Sequence, residues 1–484
     1  MGYMLLIDEI RKNGHRLTGS TQRFFLDGGC ERGPRLLYWI LSYIPKHVME
    51  KIEPFFNIVI DSLNVIVIYI FCMSVLRHYD INNPGLWALV ICFLFMFCPL
   101  FWSNIGRPCF FSGRNIGFLF GNIFFLSLIY YFVVSKTFLP LLVSFIGFLV
   151  AAFTGLFSLQ AIVFISFFWG IATLNIEMII TLVLFFVVIF IPMLKTGMIS
   201  HHIGHLSGFA KFMDNYPTTP KITFGDWKKL LRAIFCFDIK GIIQSIHRIP
   251  LVRGIMFCPG ILIFVASLFI STGTVRNYWI LLSLSIAIIV VFFIVTLNKF
   301  RFLGEAERYL DYFVVPSFLS MIILFRGAYF PIIITFVIYL FVSIINLCIF
   351  IRQHLKMNLK LNGIRDAIMF FKNIETSSVF AVSARWTIPI AYETSHLILF
   401  FLASVPKSGQ KKQDYINVYN NGRQINDSNI AMFFEMMSRY NIEYFLIEKS
   451  RLKIEIMEKF WDKVFENKDF LVFKHEKTEF GVQL

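Results

Sequence analysis

The chain has 484 residues, of which 57% are hydrophobic and 15% are charged, and its formal net charge is +15. This composition indicates a polytopic membrane protein, because a helix that crosses the hydrocarbon core needs about 20 mostly apolar residues. The positive charge lies in loops and tails and forms no compact basic domain. It therefore favours membrane lipids or lipid-linked phosphates and argues against nucleic acid as a partner. The eight scattered cysteines have no CxxC spacing, which argues against a metal or disulfide framework.

Residues 1–54 form a polar leader before the first apolar span. Its first segment has a short apolar helical face and carries the acidic pair Asp8 and Glu9. These two carboxylates are candidates for a general base, or for ligands of a divalent metal cation, at the bilayer surface. A solvated helix face is the competing interpretation.

The second half of the leader combines a glycine-rich loop with an aromatic helix. Arg32 and Arg35 lie in the loop, where arginine can bind a phosphate through two parallel hydrogen bonds. A plain turn is the alternative there. The run over residues 34–45, which includes Tyr38, predicts an amphipathic helix on the membrane surface.

Long apolar runs predict about ten transmembrane helices, so the expected fold is a polytopic helical bundle over residues 55–350. The predicted spans are residues 55–76, 86–102, 116–135, 138–155, 158–174, 177–194, 254–272, 278–297, 312–326 and 329–350. On the first of them, Asn57, Asp61 and Asn64 share one face. Such polar residues inside a membrane mark either a functional site or a structural hydrogen-bond network.

Two connections between the spans carry unusual sequences. The basic loop 195–253 contains His201, His202 and His205, but the sequence lacks the further ligands that a known metal-binding motif would need. The same loop has a basic amphipathic run at 227–237, which is typical of an interfacial helix.

The loop 298–312 is the second of these connections and is rich in charge. Its candidate substrate-binding residues are Glu305, Glu307, Arg308 and Tyr309. Arginine at the interface suits a lipid phosphate, whereas a belt of arginine and tyrosine anchors is the structural alternative.

After residue 350 the hydrophobic spans end, and the tail 351–484 is long enough for a small soluble domain. Strands are predicted at 377–383, 442–448 and 470–475, and helices at 429–440 and 452–466. This alternation predicts an α/β module. A transporter is the rival class to an enzyme. It would need helices broken near mid-membrane, whereas Pro192 and Pro259 interrupt predicted spans near their ends.

The leader resembles the membrane glycosyltransferases of the GT-C fold, especially the bacterial branch related to protein mannosyltransferases and aminoarabinose transferases. The segment at 9–14 is similar to the surface helix of their first extracytoplasmic loop. The sequence RGPRLLYW at 32–39 is similar to their basic, proline-containing and aromatic element, although Gly33 and Arg35 depart from its Pro–Pro pattern. The Arg308–Tyr309 pair is similar to a loop near the donor phosphates, and the tail is similar to their small C-terminal domain.

The resemblance implies a transferase that uses a polyprenyl-phosphate-linked sugar, with an acidic side chain that deprotonates the acceptor or holds a divalent metal. The acceptor would be an extracytoplasmic glycan, lipid or protein of the cell envelope. The leader, the 298–312 loop and the tail would face outward from a bacterial or archaeal cytoplasmic membrane. A simple count of positive charges conflicts with this orientation. A flippase or transporter of a lipid-linked saccharide remains the alternative. The oligomeric state is left open.

One departure from the family concerns its acidic motif, which by spacing should fall at or before residue 1 and should follow a transmembrane helix. The sequence therefore leaves two hypotheses: Asp8 and Glu9 replace the motif, or the catalytic acid and its helix precede Met1.

Overall fold

The computed structural model describes most of the chain. The described residues are 2–16, 20–21, 29–30, 36–100, 113–195, 199, 202–203, 206, 223–238, 241–242, 245, 249–270, 278–325, 330–382, 384–399, 410, 413–414, 417, 425, 429–451 and 461–475.

The described chain is mostly helical, with a small sheet near the C-terminus. Its helices are α1 (Gly2–Lys12), α2 (Leu36–Ser42), α3 (Lys46–His78), α4 (Pro84–Met96), α5 (Gly113–Val133), α6 (Phe138–Thr154), α7 (Leu156–Thr173), α8 (Ile176–Lys195), α9 (Phe224–Phe235), α10 (Pro250–Phe257), α11 (Gly260–Ile270), α12 (Trp279–Thr296), α13 (Val314–Phe325), α14 (Phe330–Lys372), α15 (Ala384–Glu393) and α16 (Ile430–Arg439). Two consecutive 3₁₀ helices, Asn298–Leu303 and Ala306–Tyr312, lie between α12 and α13.

Four described helices are long and apolar enough to cross a membrane: α3, α5, α8 and α12. Two further pairs of helices are long and apolar enough only when each pair is counted as one span, because a break divides each of them. At the break, α10 and α11 are bent by 82°, and the second 3₁₀ helix and α13 are bent by 50°. The chain is therefore a membrane protein with four to six candidate spans. Shorter apolar helices lie where other spans are predicted. The total of ten stays a prediction.

The bundle core is held by close helix approach and by aromatic packing. A Cβ atom at Gly147 of α6 would lie 2.9 Å from the Phe120 carbonyl oxygen and 2.9 Å from the Phe124 nitrogen of α5. The two backbones thus approach closely only because residue 147 lacks a side chain, as is common where membrane helices pack through small residues. Phe124 and Phe148 are fully buried beside this contact.

A buried amide pair also links α3 to α5. The Asn122 side chain donates a hydrogen bond of 3.0 Å to Asn64 Oδ1, and both residues are buried. Asn64 therefore forms a hydrogen bond between helices, as the structural interpretation of the polar face with Asn57, Asp61 and Asn64 predicts.

We expect Asn122→Ala to lower the free energy of unfolding by about 1 kcal/mol, because it leaves the Asn64 amide unpaired inside the bundle. The measurement is thermal unfolding of the purified protein in detergent. Thr181→Ala is the control, since the Thr181 hydroxyl donates to the Glu177 carbonyl oxygen within its own helix. An equal loss in both variants would contradict a role for the cross-helix bond.

The leader folds against the bundle and the C-terminal domain. Helix α1 packs on α2 and on α15. The apolar cluster between them consists of Met4, Ile7, Ile10, Leu37, Tyr38, Leu41, Met49 and Ile116. Helix α3 begins at Lys46, so the helix that carries the first predicted span starts within the predicted leader.

The C-terminal domain contains a mixed five-stranded sheet, whose strands are β3 (Ser378–Ala381), β4 (Leu397–Ile398), β5 (Tyr444–Glu448), β6 (Asp462–Glu466) and β7 (Phe470–Lys474). Their order in the sheet is β4-β3-β5-β7-β6. Strand β3 pairs parallel with β4 and β5, and β7 pairs antiparallel with β5 and β6. A further short pair in the leader joins β1 (Ser20–Thr21) to β2 (Gly29–Cys30).

Helix α14 connects the bundle to this sheet without a break. It has 43 residues, which corresponds to about 65 Å of α-helix. Its C-terminal turns contribute Ile364, Ala367 and Phe371 to the core of the sheet domain. The predicted boundary at residue 350 thus falls inside one continuous helix.

The predicted helix over 452–466 is wrong for its last part, because Asp462–Glu466 forms strand β6. The turn that follows explains this. The Asn467 side chain accepts hydrogen bonds from the backbone nitrogens of Asp469 and Phe470, a side-chain turn that folds β6 back onto β7. Residues 452–460 lie outside the described part.

Candidate functional site

The loop 298–312 is fixed by a buried tyrosine. Tyr309 is fully buried, and its hydroxyl donates to the Leu303 carbonyl oxygen at 3.3 Å. Gln160 of α7 donates to the same carbonyl at 2.5 Å. The Phe157 ring meets the Tyr309 ring edge to face with centroids 5.1 Å apart. Because Tyr309 holds the turn, the charged residues beside it have defined positions.

Glu307 points into the protein and pairs with a cation from another element. It is 7% exposed and forms an ion pair with Arg253 of α10. Its second carboxylate oxygen, Oε2, is buried and has no hydrogen-bond partner among the described residues. A buried carboxylate of this kind requires its arginine, since an uncompensated buried charge is strongly destabilising.

Glu305 and Arg308 form the outer part of the same loop. Arg308 Nε donates to Glu305 Oε2 at 2.5 Å, and the guanidinium lies 5.6 Å from the centre of the Phe157 ring. Partial burial acts to raise the pKa of the Glu305 carboxyl, but the charges of Arg308, Arg114 and Arg253 outweigh it, so this pKa lies below its ordinary value. Three arginines therefore act on one carboxylate. We call Arg114, Arg253, Glu305, Glu307 and Arg308 the arginine cluster.

The lowered pKa of Glu305 predicts a pH dependence. Its contribution to stability is fully present above the ordinary glutamate pKa of about 4.3 and is lost as the pH falls through the lower value of the folded state. We expect Glu305→Gln to reduce the fall in melting temperature between about pH 7 and pH 3. The control Glu375→Gln removes an exposed carboxyl of the C-terminal domain and should behave like the parent protein. An identical acid response in all three proteins would contradict this interpretation.

Tyr38 of the leader contacts the first residue of α5. The backbone nitrogen of Gly113, the first residue of α5, donates to the Tyr38 hydroxyl at 3.3 Å. The next residue is Arg114, whose charge acts on Glu305. The structure thus brings Tyr38 and the 298–312 loop to the same end of α5.

Asp8 belongs to a separate network. It is 8% exposed and pairs with Arg11 and with Lys46, the latter at 3.4 Å. Arg11 also donates to the carbonyls of Ser42 and Ile44, which closes the end of α2. Among the described residues, no ion pair joins Asp8 to the arginine cluster. Its role as a general base stays a prediction.

Several predicted site residues fall outside the described part. Arg32 and Arg35 lie there, as do His201 and His205. Glu9 lies within α1, but its side chain is outside the described part. Their roles stay predictions.

Arg114, Arg253 and Gln160 are not among the site residues that the sequence predicts. Arg253 is a cation beside an apolar run, and an ionisable residue in a membrane segment is by default a candidate for a functional site. Arg114 likewise precedes the apolar part of α5. What the sequence lacked was any sign that both would meet the 298–312 loop.

No protein-family model matches the chain, and no curated protein sequence matches it. Its fold is similar to the crystal structure of the Archaeoglobus fulgidus oligosaccharyltransferase in complex with zinc and sulfate. The TM-score is 0.54 at 11% sequence identity, over 95% of this chain and 67% of that chain. The fold is GT-C-like. At this identity, the similarity is one of fold.

A divalent metal does not fit the described side chains of the site. Among the described residues, no group of three or more His, Cys, Asp or Glu side chains is placed to hold a metal ion. Glu305 and Glu307 are each paired with an arginine. This donor set suits an anion better than a cation.

Proposed function

We propose that the protein is a membrane glycosyltransferase that moves a sugar from a polyprenyl-phosphate-linked donor to an extracytoplasmic glycan, lipid or protein. The observation that carries the proposal is the arginine cluster within a GT-C-like fold. Three guanidinium groups act on the Glu305 carboxylate at this place in the fold, and arginine is the side chain best suited to bind phosphate. A phosphate ester of a lipid is an anion of the kind that such arginines bind.

The chemistry assigned to the cluster is stabilisation of the leaving group. In the transfer, the bond between the anomeric carbon and the phosphate oxygen breaks, and the acceptor atom bonds to the same carbon with inversion. The electron pair goes to the lipid phosphate, whose growing charge the arginines stabilise. Arg308, with 27% of its side chain exposed, is assigned to the phosphate, and Tyr309 positions it.

The leader is assigned to the acceptor. Asp8 or Glu9 takes the proton that the acceptor loses, and Arg32, Arg35 and Tyr38 bind donor or acceptor groups. The proposal places the leader, the 298–312 loop and the C-terminal domain on the outer face of a bacterial or archaeal cytoplasmic membrane. In the proposed site, Glu305 positions Arg308 and Glu307 positions Arg253 through their ion pairs.

The test is a turnover assay with purified protein in detergent. The donor is a polyprenyl-phosphate-linked sugar labelled in the sugar, and the acceptor is a membrane extract. We expect label in an acceptor together with an equal amount of free polyprenyl phosphate. Unchanged donor across a panel of hexose and pentose donors would contradict the proposal.

A flippase of lipid-linked saccharide is the second candidate, and one observation favours it. Two helix pairs are bent at breaks, and Pro259 stands at the sharper one. The first members of the two bent pairs, α10 and the second 3₁₀ helix, contact each other through the Arg253–Glu307 ion pair. Broken helices around a polar site are typical of transporters. Movement of intact donor across reconstituted vesicles without sugar transfer would support this candidate.

A further inference from the structure

Helix α9, in the connection between α8 and α10, is a short basic helix with a well-defined start. It spans Phe224–Phe235, and at its start the Asp226 carboxylate accepts hydrogen bonds from the backbone nitrogen and the hydroxyl of Thr223. A capping box fixes the N-terminus of a helix of this length. The helix is therefore a definite element rather than a nascent turn.

One face of α9 is buried, and a second apolar stripe is not. Leu230 and Ala233 are buried. Phe224, Leu231 and Phe235 lie at spacings of seven and four residues, which places them on one stripe. They are 76%, 53% and 79% exposed. Large apolar side chains at this spacing form a contiguous surface that the described residues leave uncovered.

Cations lie on the exposed stripe and along one side of it: Lys228 is between Phe224 and Leu231, and Arg232 and Lys229 follow on one flank. Lys228, Lys229 and Arg232 are all exposed, and the Lys228 ammonium lies 5.3 Å from the centre of the Phe224 ring. Asp226 is the sole acid within the helix, and its carboxylate is used by the cap at Thr223. The surface thus combines large apolar side chains with positive charge among them and along one side.

We propose that α9 is an interfacial anchor that binds the anionic surface of the bilayer, with Phe224, Leu231 and Phe235 at the acyl boundary. Lys228, Lys229 and Arg232 reach the lipid phosphates, as cationic side chains of interfacial helices do. A second copy of the chain is the less suitable occupant. It would bring another net charge of +15 against this basic face.

The proposal is independent of sugar transfer, and its test uses amide hydrogen exchange of the full chain in nanodiscs. Exchange over residues 224–235 is compared in discs of neutral phosphatidylcholine and in discs with about a third anionic phosphatidylglycerol. We expect at least tenfold slower exchange in the anionic discs. Raised salt should reduce the difference, because the lipid attraction is screened. Exchange over Lys46–His78 reports whether the bundle stays folded.

Two variants with equal charge change sharpen the test. Lys228→Gln with Arg232→Gln should remove most of the difference between discs, since each cation near an anionic surface contributes about a fivefold effect. The control Arg365→Gln with Lys468→Gln changes two exposed cations of the C-terminal domain and should leave the difference intact. Equal exchange in both disc types would overturn the proposal. So would protection that appears only in discs holding two chains.

Discussion

Arg308→Ala is expected to lower the rate of sugar transfer about 100- to 1,000-fold, the usual cost of removing one group that stabilises a developing charge. The guanidinium pairs with Glu305 at the outer part of the loop and is partly exposed, so in the proposed site it is available to the phosphate. Initial rates at saturating donor measure the effect. Arg308→Lys should recover part of the rate, because it restores the charge without the planar two-bond geometry.

The control for this prediction is Arg365→Ala, which removes an exposed arginine from the C-terminal segment of α14. It should turn over donor at the parent rate. Normal turnover in Arg308→Ala would remove Arg308 from the site. A parallel rate loss in the control would indicate a general effect of lost charge.

The largest effect on stability is expected from Arg253→Ala, at about 3–5 kcal/mol, because it leaves Glu307 buried with an uncompensated charge. Glu307 is only 7% exposed, and one of its oxygens already has no hydrogen-bond partner among the described residues. Denaturant or thermal unfolding in detergent measures the change. The double variant Arg253→Met with Glu307→Leu should recover most of the loss, because it removes both charges.

An exposed ion pair provides the matched control. Lys136 pairs with Glu177, and their side chains are 60% and 42% exposed. Lys136→Ala should cost less than about 1 kcal/mol, since water already solvates both groups. A loss in Arg253→Ala no larger than in Lys136→Ala would show that the Arg253–Glu307 pair is not a buried one in solution.

Much of the helical architecture could be predicted, because apolar runs of about 20 residues form helices wherever the bilayer excludes water. Described helices lie at the positions of the predicted spans, although only four to six of the candidates are long and apolar enough to cross a membrane. Pro259 marks an interruption in the sequence, but neither the 82° bend of α10 against α11 nor the 50° bend of the second 3₁₀ helix against α13 could be predicted from it. Hydropathy records the length of an apolar run but not its direction.

The strands of the C-terminal domain were predictable where their side chains are buried, as in β3, β5 and β7. Strand β6 was mistaken for helix because it is an exposed edge strand with charged residues. Its identity depends on pairing with β7 and on the Asn467 turn.

The candidate site could be predicted only in part. The charged loop with Arg308 and Tyr309 stands out in the sequence as unusual between apolar spans. Arg253 and Arg114 reach it from distant parts of the chain, and their partners depend on how α10 and α5 pack. Long-range packing of this kind leaves no local pattern to detect.

The most direct test of sugar transfer uses sealed proteoliposomes that contain a labelled polyprenyl-phosphate sugar, with acceptor extract outside. The measured quantities are the free polyprenyl phosphate and the label in the acceptor. For a glycosyltransferase, we expect both to rise together in equal amounts and both to fall in Arg308→Ala. Intact donor that crosses the bilayer while no polyprenyl phosphate forms would contradict the proposed function and establish lipid transport instead.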